Sequence, residues 1–196
     1  MASVDLSRSP PNGCEGNTNP MPGPERQYDP QSPRSAAVWL ATSFGAGLWA
    51  PAPGTAGAAI GCALAWGISC IPGYLWQIAV IVALNIAGVP LSTAAGRALG
   101  GKKDNQAIIW DEIASMPLVF LLTPLAGWKM GLLGFALHRV FDITKPPPAR
   151  QFERLPDGLG VMADDWVAAA YACVALHLLA RVDQWTGLAL ISAGSG

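Results

Sequence analysis

The chain has 196 residues, enough for one domain, a net charge of -1, and 52% hydrophobic against 13% charged residues. That balance is too apolar for an ordinary soluble domain of this size and makes a membrane protein the first expectation. It sets nucleic acid aside as a partner, because no Lys/Arg stripe or aromatic-rich basic patch runs along the chain to track a phosphate backbone.

Residues 1–35 are a different material from the rest. They carry seven of the seventeen prolines together with Ser, Asn and Gly. Almost no branched aliphatics accompany them, so the segment cannot bury enough surface to offset its ordering entropy and is expected to be a disordered tail. It has no apolar run with a small-residue cleavage site, so it is not a signal peptide and insertion falls to internal segments of a domain spanning residues 36–190. The four cysteines, at 14, 62, 70 and 173, show no metal-type spacing. Cys62 and Cys70 would lie roughly 12 Å apart on a helix, too far for a disulfide, and all read as small packing residues.

Five apolar segments follow. Residues 58–71 and 75–98 are separated by Pro72 and Gly73 and read as a helical hairpin. Residues 113–125 and 127–141 are divided by Pro124 and Gly127, and 166–182 closes the series. Measured against the roughly 20 residues of a spanning helix, they predict an all-α fold: a compact membrane bundle of about four to five short apolar helices, with some pieces half-buried or re-entrant. If each hairpin goes in and returns, the stretch before residue 58, the loop 99–112 and the loop 142–165 all emerge on one side. Arg26, Arg34, Arg97, Lys102, Lys103, Lys145, Arg150 and Arg154 lie there, against Lys129 and Arg181 opposite. The positive-inside tendency makes the shared face cytoplasmic.

The three converging stretches carry distinct chemistry. In SFGAGLWAPAPGTAGA (43–58), the turn at Gly54, Thr55 and Gly57 opens a helix. It can aim amide donors and a hydroxyl at an anion, although Gly/Pro clusters also serve simply as connections. In DNQAIIWDEIASM (104–116), Asp111 and Glu112 begin an apolar helix. Two adjacent carboxylates there need a cation or a basic side chain, whereas N-capping explains one acid better than two. Asp104 shares a face with Asp111 if the helix extends back, or serves as its cap. The third stretch, RVFDITKPPPARQFERLPDGLGVMADD (139–165), is read as a loop holding nine charged side chains. Its cations Arg139 and Lys145 suit a phosphate, and its paired Asp164 and Asp165 suit a divalent metal.

The blocks PGTAG, IIWDE, RVFDITKPPP and GLGVMADD, in this order and spacing between about residues 40 and 182, resemble the phosphatidylglycerophosphatase A family of membrane enzymes. The resemblance implies removal of the phosphomonoester of phosphatidylglycerophosphate, Mg2+ dependence, an inner-membrane location in bacteria, and a place in phosphatidylglycerol and cardiolipin synthesis. Small departures occur at Ala58, where the family often has Ser, at Ser115, where it often has Gly, and at His138, where it usually has an apolar side chain.

No Cys-x5-Arg loop and no DxD start of an aspartyl-phosphate enzyme is present, and His177 lies deep in the last apolar segment. Metal-assisted hydrolysis remains. Asp111, Glu112, Asp164 and Asp165 would hold Mg2+, which prefers oxygen ligands. Arg139 and Lys145 would neutralise phosphate oxygens, with Thr55 and the glycine-loop amides at Gly54 and Gly57 as further donors. Asp142, three residues from each cation, would orient them if the helix continues that far, and is a further candidate ligand. Trp49, Trp110 and Trp166 each adjoin a motif, as interfacial aromatics would. A small cation-binding or transport protein is the competing reading. It predicts cation flux without phosphate release and leaves Arg139 and Lys145 unexplained. A CDP-alcohol phosphotransferase fits less well, because its spaced aspartates do not match DGLGVMADD.

Overall fold

The computed structural model describes residues 33–100 and 105–187. The expected tail therefore lies outside the described residues up to position 32, as do Asp104, Lys102 and Lys103. The described residues form helices joined by turns, with no strand among them. In chain order the helices are α1 (Pro33–Ala41), α2 (Ala46–Trp49), α3 (Pro53–Ser69), α4 (Tyr74–Ala98), α5 (Trp110–Ser115), α6 (Trp128–Thr144), α7 (Ala149–Phe152) and α8 (Asp157–Thr186), with a 3-10 helix at Met116–Phe120.

The turn of the predicted hairpin forms, but the two helices it joins barely pack on each other: α3 packs chiefly on α5 and the 3-10 helix, and α4 on α8 and α1. Pro53 opens α3 at a position where its missing N–H is no loss, and Gly73, at φ 92°, turns the chain into α4. The segment 113–125 is not the single apolar helix expected. α5 ends after six residues, Pro117 leads the chain into the 3-10 turn, and the backbone then leaves helical geometry. This broken piece is enclosed: Ile113, Met116, Val119 and Phe120 are all buried, the last three packed with Ala58 and Ala65 of α3 and Ala169, Ala172 and Leu176 of α8. Small residues permit the close approach. At Gly61 a Cβ would stand 2.6 Å from Met116 and 3.0 Å from the Glu112 carbonyl.

The charged stretch 139–165 is not a loop, as expected, but mostly helix. α6 runs through Asp142 to Thr144, and α8 starts at Asp157, nine residues before the apolar segment it was assigned. Lys145 caps α6 in a left-handed conformation at φ 43°, and Pro146, which cannot continue the helix, follows it. Polar residues can stay helical here because their side chains face the partners described below. Asn85 of α4 ties three elements together, donating to the carbonyls of Ile81 and Ala114, both at 2.8 Å, and accepting from Trp166 Nε1 at 2.7 Å.

α3 and α8 start at a common face and α4 and α6 end there, so all four have one end at that face. Gly158 N donating to Thr93 Oγ1 and the Arg97–Asp157 ion pair mark that face. At the other end, the Tyr74 hydroxyl reaches the Leu121 carbonyl and Thr123 bonds His177. Exposed Trp66, Trp76, Trp128 and Trp185 gather at that far end. Tyr74–Ala98 and Asp157–Thr186 are long and apolar enough to cross a membrane.

Candidate active site

The common face holds a pocket of about 380 Å³ whose walls come from all three converging stretches. The start of α3 contributes Gly54 and Thr55, α5 contributes Asp111 and Glu112, and the end of α6 contributes Arg139 and Asp142 with Lys145 just beyond; the first turns of α8 add Asp164 and Asp165. Gly57 is the expected site residue that does not line it. Gly57 is buried behind the pocket, where a Cβ would stand 3.0 Å from Ile109 and 3.2 Å from the Glu112 Cβ, so its smallness seats α5 instead of exposing an amide.

Asp111, Glu112 and Asp165 each bring a carboxylate oxygen within 4.8 Å of the others. Asp164, one residue from Asp165 and therefore about 100° around the helix, turns to Lys145 Nζ at 2.7 Å. Lys145 also meets Glu153 Oε2 at 3.5 Å. Arg139 pairs with Asp142 at 2.6 Å along α6 and reaches Glu112 Oε1 at 3.9 Å. A Cβ at Gly54 would lie 2.6 Å from Glu112 Oε1 and 3.0 Å from an Arg139 guanidinium nitrogen, so the absence of a side chain opens the pocket at this pair.

These acids are expensive where they stand. Among the described residues, Asp111 Oδ1, Glu112 Oε2, Asp164 Oδ1 and Asp165 Oδ2 are buried with no hydrogen-bond partner. Burial, then the neighbouring charges of Glu112 and Asp165, push the Asp111 carboxyl well above its usual range; burial is also the main cause that raises Glu112. Burial alone would lower the Lys145 ammonium, but the hydrogen bond and charge of Asp164 outweigh it and raise the group. Clustered carboxylates with orphaned oxygens fit a divalent cation, and an all-oxygen donor set suits a hard one.

Several participants escape a reading of the motifs. Glu153, eight residues past Lys145, lines the pocket, and so does Gln106. Asn85 was detectable as an amide in the middle of an apolar helix. Trp110 and Trp166 are half-buried and bonded within the bundle, to the Leu84 carbonyl and to Asn85, so of the three motif tryptophans Trp49 alone stands out at 90% exposure. The departures at Ser115 and His138 meet each other: His138 is fully buried and its Nε2 shares a 3.1 Å hydrogen bond with Ser115 Oγ.

A family model described as Phosphatidylglycerophosphatase A matches residues 39–180. The Haemophilus influenzae phosphatidylglycerophosphatase A is 36% identical over 141 residues, covering 71% of this chain and 86% of the relative. The Escherichia coli protein of the same name is 31% identical over 141 residues, 71% of this chain and 81% of its own. A Bacteroides thetaiotaomicron protein with the provisional name phosphatidylinositol-3-phosphatase is 31% identical over 161 residues, 78% and 96% of the two chains. No solved structure matches the chain significantly. The matched span contains all four motif blocks and every pocket residue described above, and the chain belongs to the phosphatidylglycerophosphatase A family.

Proposed function

We propose that this protein hydrolyses the phosphomonoester of phosphatidylglycerophosphate to phosphatidylglycerol and inorganic phosphate, using Mg2+, at the cytoplasmic face of a bacterial inner membrane. The observation that carries the reading is a pocket, inside the family-matched span, where three close carboxylates with orphaned oxygens adjoin a guanidinium and an ammonium. Asp111, Glu112 and Asp165 would hold the Mg2+, with Asp164 at their edge on Lys145. Bound there, Mg2+ would polarise the phosphoryl group and lower the pKa of a bound water.

The rest is the work of the chain's own groups. Asp142 fixes the Arg139 guanidinium, whose planar fork binds two phosphate oxygens, and Lys145 neutralises a third. Thr55 and the first-turn amides of α3 supply further donors at a helix N-terminus that favours an anion. Two helices able to cross a bilayer, a far end ringed by exposed tryptophans and a site end rich in basic residues support a multi-pass placement with the pocket inside.

The test is phosphate release by the detergent-purified protein from phosphatidylglycerophosphate, with Mg2+ and with EDTA, and with phosphatidylinositol 3-phosphate as comparator. Metal-dependent release from the first lipid is expected. Faster release from the inositol lipid would transfer the assignment to the activity named for the Bacteroides relative. Release unaffected by EDTA would remove the metal.

A further inference from the structure

A second cavity, of about 480 Å³, lies between α8 and the segment formed by α7 and the turn after it. Phe152 and Leu155 close one end, and Leu159, Ala163, Val167, Ala170 and Val174 of α8 form its floor. Their spacing is a helical stripe about 22 Å long. Trp166 and Tyr171 also line it, but their polar atoms are engaged elsewhere, with Asn85 and with the Pro147 carbonyl. The groove therefore offers nothing to a polar ligand.

Its placement against the polar pocket is close. Ala163 precedes Asp164, Leu159 precedes Gly160, and Phe152 precedes Glu153, the first of each pair facing the groove and the second the pocket. A lipid phosphate is one molecule with a polar and an apolar part joined at this scale. The stripe exceeds the roughly 15 Å depth of one leaflet, half of a hydrocarbon core of about 30 Å, and it starts at the pocket and runs toward the far end of α8. We propose that this groove holds an acyl chain of the lipid whose phosphate occupies the polar pocket, so that α8 reads both parts of the substrate with adjacent residues. The inference rests on the lipid-phosphatase reading above.

The experiment compares long-chain dioleoyl with short-chain dihexanoyl phosphatidylglycerophosphate in mixed micelles. Ala170→Trp, at an exposed groove position, should raise KM for the long-chain lipid about tenfold, equivalent to about 1.4 kcal/mol, and leave the short-chain value within about twofold. Val174→Trp, one turn farther from the pocket, should act in the same direction but less. Leu179→Trp, exposed on α8 but turned about 100° away from the continuation of the stripe, should change neither. Equal effects on both lipids, or none from either groove variant, would overturn the proposal and leave the groove to bulk lipid. A wild-type protein inactive on both lipids would instead overturn the functional reading, and this inference with it.

Discussion

Adding one methyl group at Gly54 separates stability from catalysis. In Gly54→Ala the new Cβ would begin 2.6 Å from Glu112 Oε1, and reaching ordinary contact at 3.4 Å requires a retreat of 0.8 Å; the Arg139 nitrogens, at 3.0 and 3.1 Å, must yield as well. Both obstacles are ends of side chains, so the backbone can stay in place. Alanine also favours the helix over glycine by up to about 1 kcal/mol. A displacement approaching 1 Å in positioning groups costs on the order of 10²-fold in rate. The expected variant is therefore at least as resistant to thermal unfolding as the parent, with kcat/KM for phosphate release lower by about 10- to 100-fold. Activity within twofold of wild type would show that Gly54 does not face the reacting groups. A collapse of stability would show that the backbone of α3 moves instead.

Gly57→Ala should behave oppositely, losing stability first, because its Cβ meets the Ile109 Cβ and carbonyl, which cannot rotate away. Mg2+ at about 100 times its Kd should stabilise the parent by about 2.7 kcal/mol; Asp165→Asn should abolish that thermal shift and lower activity by more than about 10²-fold. A full shift in that variant would remove Asp165 as a ligand. Arg139→Lys should cost about 10²-fold in kcat/KM, and Arg150→Lys little, since Arg150 does not line the pocket and donates to the Thr144 carbonyl at 3.4 Å; equal losses would refute the assigned phosphate fork. Truncation of residues 1–32 should leave phosphate release unchanged, and an inactive truncation would make the tail part of the catalytic domain.

The helical class and the meeting of three polar stretches were legible because apolar periodicity and Pro/Gly punctuation act locally. Pro72–Gly73 sits where the α3–α4 turn forms, and the acids and cations of the pocket could be named from four short blocks. What stayed hidden depends on contacts distant in sequence. Apolar content alone gave no sign that residues 113–125 would break, since Ile113, Met116 and Phe120 would suit a continuous helix equally well; enclosure by α3 and α8 permits the break. The charges from Arg139 to Asp165 pointed to a site, but to one carried on a loop. Their helical register emerges only when Lys145 is seen across from Asp164, and Arg139 beside Asp142 and Glu112. Likewise Asp164 and Asp165 are equivalent as letters, but one helical step directs one to a lysine and the other to the acidic group.

The enclosed piece from Trp110 to Phe120 also bears on how the protein comes into being. Its acids lie well before Asp165 in the chain, and Asp165 belongs to the last of the described helices. Until α8 docks, Asp111 and Glu112 lack their third carboxylate, and Ala114 and Trp166 are not yet bridged through Asn85. No shorter intermediate of the nascent chain can assemble the acidic trio. The acidic trio thus forms only as α8 docks, and a chain interrupted before Asp165 carries Asp111 and Glu112 without their partner.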